Sequence, residues 1–394
     1  MKPSFIPAVL SLAAISIAAA FETAAANARA QWKGIAASQP QEKSRTSIDV
    51  ENWTKPEPGW LYVLDSRPDA GKTPGRIWLL NPETGEVKGS IRTGYRPDFA
   101  LSPDGSELYI ASDPGFHTSE FAAVNTSTGE IVHGETIHNR VEPLVLDSYS
   151  TMAVTADGQF LRFLADGEHD GEFELDTIVT KTGALLGRHV FVGNCGNGQF
   201  IALPSVEEVE FLCPTMNKVR ILHTDPESSK VIDSTWGAIP WKHTIGVAEA
   251  FPTHDGKQIT IVRGDGAIFQ MDLATLSFRE TAVHGHSEDH IPPAAWAGSP
   301  DGDKFYLGYV HWAGETFPNA IADEFRVFDT STWKKLATIK TSVPFWSAVS
   351  SIDGKRLYAI APQQHCILMI DTETLKEIRS ISVGGLPALA IVAR

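Results

Sequence analysis

The chain has 394 residues, of which 21% are charged, and a formal net charge of −15. An acidic surface of that size repels a phosphate backbone, which excludes nucleic acid as a partner class and favours a positively charged protein or a small cation. The length permits one large β domain or two smaller ones, and the turn pattern described below selects one.

At the N-terminus, Lys2 precedes an apolar stretch from Phe5 to Phe21, followed by small-residue cleavage sites at Ala26-Asn27-Ala28 and Ala28-Arg29-Ala30. This pattern predicts a secretory signal peptide over residues 1–30, cleaved on export to the periplasm, with no membrane span left in the mature chain. The apolar core is short for a retained anchor. Residues 31–59 read as a polar arm, rich in Ser, Gln, Lys, Glu and Pro and with little to bury. Such a segment is expected to be extended or disordered alone and ordered by a partner.

From Trp60 onward the chain repeats. A polar tight turn ending in Asp-Gly occurs five times, at Asp104-Gly105, Asp157-Gly158, Asp255-Gly256, Asp301-Gly302 and Asp353-Gly354, at a spacing of about 50 residues with one gap of about twice that. A short apolar strand precedes each turn, as in Asp98-Phe99-Ala100-Leu101, and a β-rich strand follows, as in Leu108-Tyr109-Ile110. A third strand then ends at a second turn signal, such as Asn81-Pro82-Glu83-Thr84-Gly85 or Asp371-Thr372-Glu373-Thr374, and a charged outer strand follows it. This is the pattern of a β-propeller blade. It predicts an all-β, seven-bladed propeller of four-stranded antiparallel blades over residues 60–394. The first unit begins abruptly at Leu61 without an inner strand, and the last has a spare one, Pro387-Ala388-Leu389-Ala390-Ile391-Val392. The C-terminal strand is therefore expected to complete the first blade and close the ring.

The fourth unit lacks the Asp-Gly turn and carries two of the three cysteines. Its inner strand is expected from Cys195 to about Leu203, its turn at Ser205-Val206-Glu207-Glu208, and the end of its second strand at Cys213. Antiparallel pairing then sets Cys195 opposite Cys213, and export permits the disulfide, worth about 3 kcal/mol in the loop-entropy model. A metal at this pair lacks further thiols nearby. Cys366, in the apolar run Cys366-Ile367-Leu368-Met369-Ile370, is expected to be a buried free thiol.

In the sixth unit, His284, His286 and His290 crowd one loop with Glu288 and Asp289, and His311 begins another loop of the same face. Imidazoles beside carboxylates suit Zn or Cu. The plainer reading, a polar loop hydrogen-bonded at a subunit interface, is favoured. The chain has no Cys-x-x-Cys-His, phosphate-binding glycine loop, Gly-x-Ser-x-Gly or His-Glu-x-x-His motif, so no catalytic residue is assigned.

From Leu61 to the C-terminus the chain resembles the large, heavy subunit of the quinoprotein amine dehydrogenases, the methylamine and aromatic amine dehydrogenases. The residues that carry the resemblance are Tyr62-Val63-Leu64-Asp65-Ser66, the hairpin through Gly85, the Cys195 and Cys213 pair, and Phe317-Pro318 leading through Ala322 to Val327-Phe328-Asp329. In that family the cofactor, tryptophan tryptophylquinone, is built in a small, disulfide-rich partner subunit, and the large subunit frames the substrate entrance. The resemblance implies an oxidoreductase subunit that binds no cofactor itself, in a periplasmic α2β2 complex that oxidises primary amines to aldehydes. Electrons would pass to a cupredoxin or c-type cytochrome. The ten tryptophans are then core and interface residues.

The entrance or small-subunit interface is expected at Ser66, Arg67, Pro68, Asp69, His290, Pro292, Pro293, Phe317 and Pro318. Two departures bear on the substrate. The loop Ser66 to Thr73 has no aromatic residue where the methylamine enzymes carry a gating phenylalanine, and the family's Trp-x-Pro-Gly-Gly stretch is His290-Ile291-Pro292-Pro293-Ala294 here. The alternative function is a stand-alone periplasmic propeller that binds a protein, ligand or metal without redox chemistry.

Overall fold

The computed structural model describes residues 46–65, 74–115, 119–137, 152–166, 172–192, 199–202, 209–215, 218–224, 231–238, 247–253, 256–263, 267–275, 277–283, 295–310 and 322–394. All the regular structure among them is β, apart from one 3₁₀ turn, Pro362–Gln364.

The first sheet takes β1 (Asp49–Glu51), β2 (Leu61–Asp65), β3 (Arg76–Asn81) and β4 (Glu86–Arg92). The second holds β5 (Tyr95–Leu101), β6 (Glu107–Asp113), β7 (Ser119–Asn125) and β8 (Ile131–Ile137). The third holds β9 (Met152–Val154), β10 (Phe160–Asp166), β11 (Glu172–Val179) and β12 (Leu185–Val192), and the fourth β13 (Gln199–Ala202), β14 (Val209–Thr215), β15 (Lys218–Thr224) and β16 (Val231–Ala238). The fifth holds β17 (Val247–Pro252), β18 (Gln258–Arg263), β19 (Ile268–Asp272) and β20 (Phe278–Glu280), and the sixth β21 (Ala295–Gly298), β22 (Lys304–Val310), β23 (Ala322–Asp329) and β24 (Lys335–Phe345). The last meander is β25 (Ser347–Ser350), β26 (Arg356–Ala361), β27 (Cys366–Asp371) and β28 (Lys376–Ser382), after which β29 (Pro387–Val392) returns to the first sheet.

The expectation of seven four-stranded blades is corrected: among the described residues six sheets are four-stranded blades, and the first has five strands in the order β1-β4-β3-β2-β29. The extra strand comes from the arm. There Ser47-Ile48-Asp49-Val50-Glu51 alternates polar and apolar residues with the period of a strand, and Ile48 is buried. Pairing of Asp49, Val50 and Glu51 with Arg92, Ile91 and Ser90 covers the edge of the first sheet that would otherwise be open.

At the other end of that sheet, β29 pairs antiparallel with β2, with Leu61, Tyr62, Val63 and Leu64 opposite Val392, Ile391, Ala390 and Leu389. Two further backbone bonds extend the ladder, from Gly59 N to Ala393 O at 2.9 Å and from Ala393 N to Trp60 O at 2.8 Å.

Apolar slabs lie between neighbouring sheets and make up the core. Tyr62, Leu64 and Ile77 of the first sheet pack on Phe99, Leu108 and Ile110 of the second, whose other face packs Tyr109 and Phe121 on Leu161 and Phe163 of the third. Leu61 and Val63 pack on Ile360 and Ile367 across the closing junction. Alternate residues of one strand thus serve two interfaces, which is why strands such as β2 are buried on both sides.

The Asp-Gly turns share one wiring. In the second sheet, Asp104 Oδ1 accepts from the Ser102 hydroxyl at 2.7 Å and the Ser106 amide at 3.0 Å, while Gly105 adopts φ 75°. Asp157, Asp301 and Asp353 repeat this with Thr155, Ser299 and Ser351. A threonine just after the third strand then donates to the glycine carbonyl of its own sheet's turn: Thr126 to Gly105, Thr180 to Gly158, Thr330 to Gly302 and Thr372 to Gly354, at 2.6–2.8 Å. The outer hairpin is thereby latched to the inner one.

In the fourth sheet, β13 begins at Gln199 and pairs with β14 so that Gln199 faces Leu212, one residue short of Cys213. Cys195 and the turn Ser205 to Glu208 lie outside the described residues, and so does the expected disulfide. Cys366 is a buried free thiol, as expected.

Candidate functional site

The expected entrance and interface residues, Ser66, Arg67, Pro68, Asp69, His290, Pro292, Pro293, Phe317 and Pro318, all lie outside the described residues. The same holds for the candidate metal ligands His284, His286, His290 and His311. The strand ends that carry these loops are described, and those nearest residues 66–73 form a connected polar network.

Asp65 ends β2 immediately before that loop. Its side chain is fully buried, and Oδ1 accepts the Leu386 amide at 3.1 Å from the segment leading into β29. On the far side of the loop, Gly75 donates to Gly94 O at 2.8 Å, and Thr93 donates to Gly75 O at 3.1 Å. A Cβ on Gly94 would strike the Asp113 carbonyl and crowd a Glu120 carboxylate oxygen, so a side chain has no room at this crossing.

Glu120 lies at the centre of the network. It is fully buried at the start of β7, and four donors converge on its carboxylate. The Ser112 and Ser47 hydroxyls reach Oε1 at 2.7 and 2.5 Å, and the Thr46 hydroxyl and Ser47 amide reach Oε2 at 2.8 and 2.7 Å. Ser112 also accepts the Gly94 amide at 3.1 Å. The arm is thus tied by hydrogen bonds to the backbone that anchors the loop at residues 66–73. Further down, Trp53 stacks on Tyr62 with ring centroids 6.3 Å apart and donates to the Thr126 carbonyl at 2.8 Å. Residues 46–53 therefore strap the first two sheets together.

A second buried polar cluster lies in the third sheet. Arg188 Nε lies 2.6 Å from Glu174 Oε2 and 3.1 Å from Asp176 Oδ1, and both carboxylates are buried. Burial pushes the Asp176 carboxyl up, and the Arg188 guanidinium partly opposes it. Among the described residues no group of three or more His, Cys, Asp or Glu side chains is arranged to hold a metal ion.

The sequence reading did not single out Glu120, Thr46, Ser47 or Trp53. The alternation Ile48-Asp49-Val50 was a usable signal for the strap. Nothing local to Glu120 announces its role, because its partners lie 8 to 74 residues away.

No family model and no curated protein matches the chain. Solved structures do resemble it. A protein assigned as a 6-phosphogluconolactonase from Bacteroides fragilis is 15% identical with a TM-score of 0.60, covering 86% of this chain and 99% of that one. Kuenenia stuttgartiensis hydrazine synthase is 14% identical with a TM-score of 0.56, covering 81% and 97%. The dihydro-heme d1 dehydrogenase NirN, in complex with DHE, is 15% identical with a TM-score of 0.54, covering 88% and 72%. At these identities the likeness is one of fold: the chain is a β-propeller.

Proposed function

We propose that this chain is the large subunit of a periplasmic quinoprotein amine dehydrogenase, a scaffold that frames the substrate entrance of a small partner subunit. The partner carries tryptophan tryptophylquinone, which oxidises a primary amine to the aldehyde and passes electrons to a cupredoxin or c-type cytochrome. The observation that carries the reading is the placement of Tyr62-Val63-Leu64-Asp65. These residues form a fully buried strand, paired with the C-terminal strand, that ends at the loop expected to border the entrance.

The role of this chain in that assembly is positional. Asp65 and Gly75 fix the two ends of the loop at residues 66–73, and the Glu120 network ties those ends to the arm. A net charge of −15 suits a carrier or subunit of opposite charge. With no aromatic residue between Ser66 and Thr73, the entrance is expected to be wider than one gated by phenylalanine. Two neighbours in fold, hydrazine synthase and the dehydrogenase NirN, are redox proteins, which is compatible with this role without specifying an amine.

Gentle purification of the chain from its source cells, followed by subunit mass analysis, tests the reading. The expected result is co-purification in equal amounts with one small subunit rich in disulfides, in a complex holding two of each. A chain that purifies alone would contradict it and leave a stand-alone binding propeller.

A further inference from the structure

The junction between the last sheet and the first differs from three other junctions in what faces a tyrosine. Four sheets carry a tyrosine at the same position of the strand next to the innermost one: Tyr62, Tyr109, Tyr306 and Tyr358. In three of them the phenol lies near the latch threonine of the next sheet, Tyr62 by Thr126, Tyr109 by Thr180 and Tyr306 by Thr372, while the Tyr62 hydroxyl makes no hydrogen bond among the described residues and the Tyr109 hydroxyl donates to Glu107 at 2.7 Å. Tyr358 faces the first sheet, where the corresponding residue is Pro82, which has no hydroxyl. The first sheet also has no Asp-Gly turn, because its two innermost strands come from opposite ends of the chain.

A cleft of about 530 Å³ opens at this place. Tyr358, Arg356 and Lys355 line its wall on the last sheet, and Glu83 and Glu57 line its wall on the first. The Tyr358 side chain is buried, with the residue only 3% exposed, and its hydroxyl makes no hydrogen bond among the described residues. Burial pushes this phenol up to about 12, so it remains a donor at neutral pH. Arg356 gives Nη1 to Asp371 at 2.8 Å and to the Lys355 carbonyl at 3.1 Å, which leaves its other edge free. The ammonium of Lys355 and the carboxylates of Glu57 and Glu83 form no ion pair among the described residues. Donors on one wall thus face carboxylates on the other without meeting them. Asp353 also lines the cleft, but its Oδ1 is occupied by Ser351 and by the Lys355 amide.

We propose that this cleft is a binding site for a small zwitterion of the amino-acid or short-peptide class. The ligand carboxylate would lie against Tyr358, Arg356 and Lys355, and its ammonium against Glu57 and Glu83. The volume is that of a small-molecule site, and the two walls supply the few convergent polar groups such a site needs. The site lies at the closing junction and is independent of the proposed redox role.

Isothermal titration of the mature full-length chain with L-alanine and with alanylalanine tests it, using N-acetyl-alanylalanine and alanylalanine amide as capped controls. The expected result is one site per chain, with either cap weakening binding by about tenfold or more. Glu83→Gln and Lys355→Gln, both at exposed positions, are expected to weaken it by about tenfold, and Tyr358→Phe by about fivefold. Absence of binding by both free ligands would overturn the proposal. So would capped ligands binding as well as the parents, or Glu83→Gln and Lys355→Gln leaving affinity unchanged while the melting temperature stays that of the natural chain.

Discussion

Carboxylates in this chain titrate in opposite directions according to what surrounds them. The turn aspartates Asp104, Asp301 and Asp353 are held below the usual range, first by a serine hydroxyl and then by backbone amides. Their contribution to stability is present above the unfolded value near pH 4 and is lost as pH falls through the depressed folded values. Asp176 behaves oppositely: burial raises it, so its contribution is present below the unfolded value and is lost as pH rises through the folded one. Thermal melts from pH 7 to pH 2 should therefore show the melting temperature falling below about pH 4, because the turn aspartates outnumber Asp176. Arg188→Ala removes the cation shared by Glu174 and Asp176 and should cost about 3 kcal/mol at pH 7. That deficit should shrink towards pH 4, where the two carboxylates take up protons; a deficit independent of pH would contradict this account of the pair.

The strap shows how an element too short to fold alone is held. Strand β1 has three residues, and its order depends on Ile48 in the apolar slab, on Trp53 against Tyr62, and on the grip of Glu120 on Thr46 and Ser47. Glu120→Ala should destabilise the chain by about 2–3 kcal/mol, since it removes a buried acceptor from four donors. Trp53→Ala should cost about 2 kcal/mol through lost apolar burial. In both variants limited proteolysis should cut near residues 46–55 first, and retained protection there would mean that the strap is held by something else.

Most strands were legible in the sequence because turn chemistry is local: Asp104-Gly105 or Asn125 with Thr128 sets a hairpin from a few adjacent residues. The strap was legible only as an alternation of Ile48 and Val50 within a stretch whose overall composition is polar. The Glu120 network was not legible, because its geometry depends on contacts between separate sheets. The loops expected to border an entrance were marked by residue type and resemblance alone, and they lie outside the described residues.

At the scale of the whole molecule, closure depends on chain ends meeting. Residues 387–394 complete the first sheet, and Arg394 adds a bond from Nη1 to the Pro103 carbonyl at 2.7 Å. Deleting them strips β2 of its partner and opens the slab that holds Leu61, Val63, Ile360 and Ile367, so the truncated chain should not give a cooperative melt. A sharp transition in the truncated chain would show that the ring closes in another way. The proposed assembly places the chemistry in a partner and leaves this chain to shape the approach to it. The most direct test of that claim is the absorption spectrum of the native complex during titration with primary amines. The account predicts quinone absorbance, carried by the small subunit, that bleaches stoichiometrically on adding amine and returns with an oxidised electron carrier. A complex without that chromophore, or one whose absorbance is indifferent to every primary amine, would contradict it.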